Sequence, residues 1–144
     1  MNRVVHGTSV MAAGVGALLS PLPLVDELVL APAYGAMSWR IGRLHALPFA
    51  SIPWRPITRT IVNGLLARAA ANLVVAFVPG VAAAANAMTA AALTEWLGGY
   101  VDDACAAPSG VKAATIGEIL SSLRQTAASF RIARNAPAAA PTAA

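Results

Sequence analysis

The chain has 144 residues, of which 58% are hydrophobic and only 11% charged, whereas an ordinary soluble domain is about 25% charged. One domain fits this length, disorder is excluded for most of it, and the single Cys105 excludes a disulfide scaffold. Ten basic residues, nine of them Arg, stand against six acidic ones, yet they are spread along the chain without a recognition motif, so no nucleic-acid partner is expected and a helical membrane protein or a helical subunit buried in an assembly remains.

The first predicted element is an apolar helix that ends near Leu19 or Ser20, because Pro21 and Pro23 cut the run. Arg3 followed by the apolar stretch from Val10 to Leu19 invites a signal-peptide reading. The nearest small-residue cleavage site, Ala31-Pro32-Ala33, comes after Asp26 and Glu27, so the segment reads as a retained helix. A second helix is predicted from Leu24 to about His45, kinked or divided at Pro32. Asp26 and Glu27 fall in its first turn and Arg40, Arg43 and His45 in its last turns, the signs that the helix dipole prefers. Residues 47–56 contain Pro48, Pro53 and Pro56 and read as a loop, with Trp54 and Arg55 suited to a water–lipid boundary.

Residues 57–105 form the most informative region. Two helices, about 57–78 and 81–104, flank the turn signal Pro79-Gly80 and predict a helical hairpin. No charged residue occurs from Ala69 to Thr94, and the second arm is rich in alanine, which permits close helix approach in lipid and in a soluble bundle alike. Each charge-free arm is shorter than a hydrocarbon core of about 30 Å, so spanning, half-spanning and soluble arrangements all remain, with insertion favoured by the uncharged length. Arg68 and Glu95 lie at comparable distances from the turn and predict an ion pair across the hairpin, with Asn63 or Asn72 in the same network. A last helix, about 115–134, opens on the capping-box spacing of Thr115 and Glu118. Ile116, Ile119, Leu120, Leu123, Ala127 and Phe130 give it one apolar face, suited to a membrane, a partner helix or the chain's own core. The tail 136–144, with Pro137 and Pro141, is expected to be disordered.

No motif with a chemical mechanism is present. There is no phosphate-binding loop and no His-Glu-x-x-His, and two histidines and one cysteine far apart in sequence predict no metal or other cofactor. The pairs Asp26-Glu27 and Asp102-Asp103 read as helix ends, and Cys105 as a reduced, partly buried thiol.

Two segments resemble a known family, the YcjF-like domain of bacterial inner-membrane proteins, also found appended to Era-like GTPases. Residues 18–44, LLSPLPLVDELVLAPAYGAMSWRIGRL, match its pattern through Pro21, Asp26 and Met37. Residues 77–101, FVPGVAAAANAMTAAALTEWLGGYV, match its Pro-Gly hairpin, its alanine/asparagine run and a Thr-x3-Gly step at Thr94 and Gly98. The resemblance implies a bacterial inner-membrane location, and a GTPase-coupled role would require the GTPase to be a separate chain.

The expectation is therefore an all-α protein of four to five helices around an alanine-rich Pro-Gly hairpin, with a membrane-associated helical region over 1–107 and an amphipathic C-terminal helix within 108–135. It is read as a non-enzymatic interaction or scaffold protein whose partners are membrane lipid and another protein, met through the C-terminal helix or the hairpin surface. Pro21, Asp26, Met37, Arg68, Pro79, Gly80, Thr94, Glu95 and Gly98 are its structural and interaction residues. The alternatives are an accessory subunit whose apolar surface is covered by protein, and an enzyme that uses Asp26, Glu95 or Asp102 near a histidine, with a carboxylate within about 3 Å of His45 in one pocket, as general acid–base chemistry requires.

Overall fold

The computed structural model describes residues 2–18, 25–75 and 82–135, with side chains described over 2–18, 27–71 and 83–125. Pro21, Pro79, Gly80 and the tail lie outside the described residues, as does the side chain of Asp26. The described chain is all helical: α1 (Asn2–Leu18), α2 (Val25–Leu44), a 3-10 turn (Phe49–Ser51), α3 (Trp54–Val75), α4 (Ala82–Ala106) and α5 (Ile116–Asn135).

Contacts between the helices fix their directions. Val5 of α1 lies against Gly98 of α4, Ser9 donates to the Ala91 carbonyl at 3.3 Å, and Asn86 donates to the Gly16 carbonyl at 2.7 Å, so α1 and α4 are antiparallel. Tyr34 meets Thr94 and His45 meets Asp102, so α2 runs parallel to α4. Arg68 meets Asn86 and Gly64 lies under Leu93, so α3 is antiparallel to it. The result is an up-down-up-down bundle. Helix α4 is the hub, packed by α1, α2, α3 and α5. Its alanine-rich sequence suits such a position, with an exposed strip that carries Glu95 and Asp103.

The hairpin partners α3 and α4 do pack, but α4 has its largest interface with α1. The reason is side-chain size. Val5, Ser9, Ala12 and Gly16 recur at spacings of four, three and four and are buried, so the narrow face of α1 sits close to the alanine-rich hub. Cβ atoms added at Gly98 and Gly16 would fall 2.5 Å from Val5 Cγ1 and 3.1 Å from the Asn86 carbonyl. On α2, Leu30, Tyr34, Met37 and Ile41 form the buried face, and Leu93, Leu97 and Val101 of α4 belong to the same core cluster. Each large side chain enclosed in this way contributes about 1.5–3 kcal/mol.

Local chemistry moved two predicted boundaries. Pro32 lies inside α2 on an exposed position and does not divide it. Helix α3 begins at Trp54, inside the stretch read as a loop, with Pro56 as its third residue. A proline there forfeits nothing, since the first-turn N–H groups have no intrahelical acceptor. Trp54 Nε1 donates to the Phe49 carbonyl at 2.8 Å and closes the 3-10 turn onto α3. At the end of α2, Ala46 adopts a left-handed φ of 55°. Its N–H bonds the Arg43 carbonyl and the Leu47 N–H the Gly42 carbonyl, a Schellman stop built without glycine.

The predicted capping box of α5 is formed. The Thr115 N–H donates to Glu118 Oε2 at 2.7 Å and the Glu118 N–H to Thr115 Oγ1 at 3.3 Å. Ile119 is fully buried and Leu120 and Leu123 are half-buried against the core, so the first turns of this face cover the chain's own bundle. Asn63 and Thr60 of α3 hold the approach by bonding the carbonyl and the N–H of Ala114.

Candidate functional site

One polar network crosses the apolar half of the bundle. The side chain of Arg68 is 0% exposed. Its Nη1 donates to Glu27 Oε1 on α2 at 2.8 Å, and its Nη2 donates to Asn86 Oδ1 on α4. Asn86 Nδ2 in turn donates to the Gly16 carbonyl on α1. Four helices are thus joined through one guanidinium, whose planar fork suits several acceptors at once. A side chain at Gly16 would press on Arg68 Nη2 at 3.2 Å, so the network fits only because α1 has no Cβ there.

This arrangement corrects the expected Arg68–Glu95 pair. Asn86, which Arg68 contacts, precedes Glu95 by nine residues, about 14 Å along α4. Glu95 lies on the exposed side of that helix, where its Oε1 is 3.4 Å from His6 Nδ1 of α1. Distance from the turn was the wrong measure, because helical phase turns Asn86 into the core and Glu95 away from it. Asn63 serves the Ala114 carbonyl instead, and the side chain of Asn72 lies outside those described.

The remaining predicted residues divide by place. Met37 is enclosed in the core. Thr94 is fully buried, donating to the Ala90 carbonyl at 2.7 Å and sharing a 3.2 Å hydrogen bond with the Tyr34 hydroxyl. Gly98 leaves room for the Val5 side chain of α1, which lies 2.5 Å from where a Cβ at this glycine would stand.

The exterior of the bundle is polarised. At the end that holds Arg68, residues 7–18, 28–39, 60–71 and 83–94 lie side by side, twelve residues from each of four helices, about 18 Å in length. Arg68 is the one charged side chain in these stretches, and it is buried. Nine exposed large apolar residues fall here: Val10, Met11, Leu18, Leu28, Val29, Trp39, Val62, Leu66 and Met88. The opposite end carries Arg3, Arg40, Arg43, Arg55 and Arg59 with Glu95, Asp102 and Asp103. Trp39 stands at the boundary, with the Arg43 guanidinium 5.8 Å from its ring centre. Helix α5 covers part of α3 and α4 and brings Glu118 and Arg124 to that flank, so the uncharged wall is the side made by α1 and α2. Among the described residues, no helix is long and apolar enough to cross a membrane.

The enzyme alternative asked for a carboxylate within about 3 Å of His45, and the structure places Asp102 there, with His45 Nε2 2.7 Å from Asp102 Oδ1. Cys105 stands one turn along α4 and is buried. Burial and, after it, the charge of Asp102 push its thiol pKa up, the opposite of what a nucleophilic thiolate needs. The pair therefore ties the end of α2 to α4 and leaves the thiol protonated. Among the described residues no group of three or more His, Cys, Asp or Glu is placed to hold a metal. No family model, curated protein or solved structure matches the chain.

Proposed function

We propose that this chain is a non-enzymatic, membrane-associated helical interaction protein that seats the uncharged half of its bundle in one leaflet. The observation that carries the reading is the polarised exterior. Exposed apolar side chains crowd an end where Arg68 and Glu27 are paired with each other in the interior and Asp26 stands at the start of α2, and exposed apolar surface on this scale marks a membrane or protein interface. A depth of about 18 Å matches one leaflet of a hydrocarbon core of about 30 Å. Trp39 and the arginines at the other end suit the headgroup zone and anionic lipid. On this reading the chain belongs with the YcjF-like inner-membrane proteins that residues 18–44 and 77–101 resemble, and its charged end is left to a protein partner such as a separate GTPase.

The test is flotation on a density gradient with vesicles containing anionic lipid, followed by a carbonate wash. The wild-type chain floats and resists the wash. Val10→Glu with Leu28→Glu shifts it to the bottom fractions, since each acid in the hydrocarbon costs on the order of 2–3 kcal/mol. A wild-type chain that stays below as a compact monomer overturns the proposal. Solubility gained only with a co-expressed protein points to the accessory-subunit alternative.

A further inference from the structure

An open groove of about 430 Å³ runs along the seam between α1 and α4, within the size of ordinary ligand pockets, about 300–1,000 Å³. Its walls are apolar and small, with Val10 and Ala13 on α1 and Ala92 on α4. At one end it meets His6, Glu95 and Trp96. The antiparallel register places that polar end toward the charged half of the bundle and the apolar walls in the uncharged half. Arg3 is exposed one turn before His6 on the same face of α1.

The geometry points to a slot for a single phospholipid whose headgroup carries an ammonium, its acyl chain lying along the α1–α4 seam and its headgroup held between Glu95 and Arg3. This rests on the membrane reading and names a ligand for part of that surface. Charge complementarity selects the occupant. Glu95, in the groove lining, offers its carboxylate to the ammonium, and Arg3, exposed one helical turn beyond His6, is assigned to the phosphate. His6, 77% exposed and 3.4 Å from Glu95, holds the carboxylate when the slot is empty and yields readily, because an exposed ion pair is weak. Trp96 stacks on Tyr100 with ring centres 5.9 Å apart and sets an amphipathic ring at the headgroup level. An anionic headgroup without an ammonium meets Glu95 as a like charge, so the slot discriminates between lipids that the flanking arginines alone do not distinguish.

The full chain in a non-ionic detergent is titrated with phosphatidylethanolamine or with phosphatidylglycerol of the same chains, and bound lipid is counted by native mass spectrometry. One phosphatidylethanolamine is expected per chain, in preference to phosphatidylglycerol. Ala92→Phe and, from the opposite wall, Ala13→Leu fill the groove and lower occupancy at least tenfold. Glu95→Gln keeps the lipid and cuts the headgroup preference about threefold, the size of an exposed ion pair. Leu66→Ser, on α3, leaves both values unchanged. Equal binding in the filled variants, equal binding of the two headgroups to wild type, or no retained lipid overturns the inference. A dimer that Ala92→Phe converts to monomer also overturns it and assigns the groove to a second copy. Because lipid is added in micelles, the result is independent of flotation, so failure of the slot and failure of the membrane reading are separate outcomes.

Discussion

Arg68→Met isolates the energetics of the network that joins α1 to α4. The substitution keeps an unbranched apolar side chain of similar length in a site with no solvent exposure. It removes the donor to Glu27 Oε1 and the donor to Asn86 Oδ1, leaving a carboxylate facing a low dielectric. Breaking one partner of a buried pair costs about 3–5 kcal/mol, a large share of a total stability of about 5–15 kcal/mol. For a chain of this size that is a fall in Tm of roughly 10–20 °C. Glu27→Leu alone costs a similar amount, because it leaves the guanidinium with its charge uncompensated. The double variant Arg68→Met, Glu27→Leu removes both charges and recovers most of the loss, since a well-packed apolar pair is often as stable as the ion pair it replaces. Urea titration followed by far-ultraviolet circular dichroism gives the four stabilities of the cycle, with a favourable coupling at least as large as either single loss, about 3–5 kcal/mol. Single variants each costing under about 1 kcal/mol, or a double variant whose loss equals their sum, would refute the claim that these two charges depend on each other.

Three further outcomes follow from local geometry. Gly98→Val forces a side chain against Val5, where even a Cβ falls at 2.5 Å. It should cost about 1–3 kcal/mol by thermal melting, with part of the loss restored by Val5→Ala. Ala46→Gly relieves the left-handed residue at the end of α2 and should raise stability by about 0.5–1 kcal/mol in the same assay; no gain refutes strain at that stop. Hydrogen bonds from the Thr115 backbone N–H and hydroxyl hold the Glu118 carboxyl below its ordinary range. The cap therefore stabilises α5 fully above the ordinary glutamate pKa of about 4.3 and loses this contribution as pH falls through the lowered folded value. The protection of the Thr115 and Glu118 amides, corrected for the intrinsic exchange rate at each pH, should fall on acidification, and Glu118→Gln should flatten that dependence.

The sequence by itself determined the helical class, the number of elements and several of their ends. Apolar periodicity, the proline punctuation and the Thr115–Glu118 spacing are local signals, and local hydrogen bonding reads them directly. Met37, Thr94 and Gly98 were singled out by the family resemblance alone, and the structure buries Met37 and Thr94 and sets Gly98 against Val5. Only the tertiary structure decided which helix α4 embraces and which acid Arg68 meets. Those outcomes depend on helical phase and on the close approach allowed by Ser9, Ala12 and Gly16, and both become visible only when distant segments pack. The separation of charged and uncharged ends arises in the same way. Four stretches, each unremarkable in sequence, become one surface only because the up-down path lays them side by side.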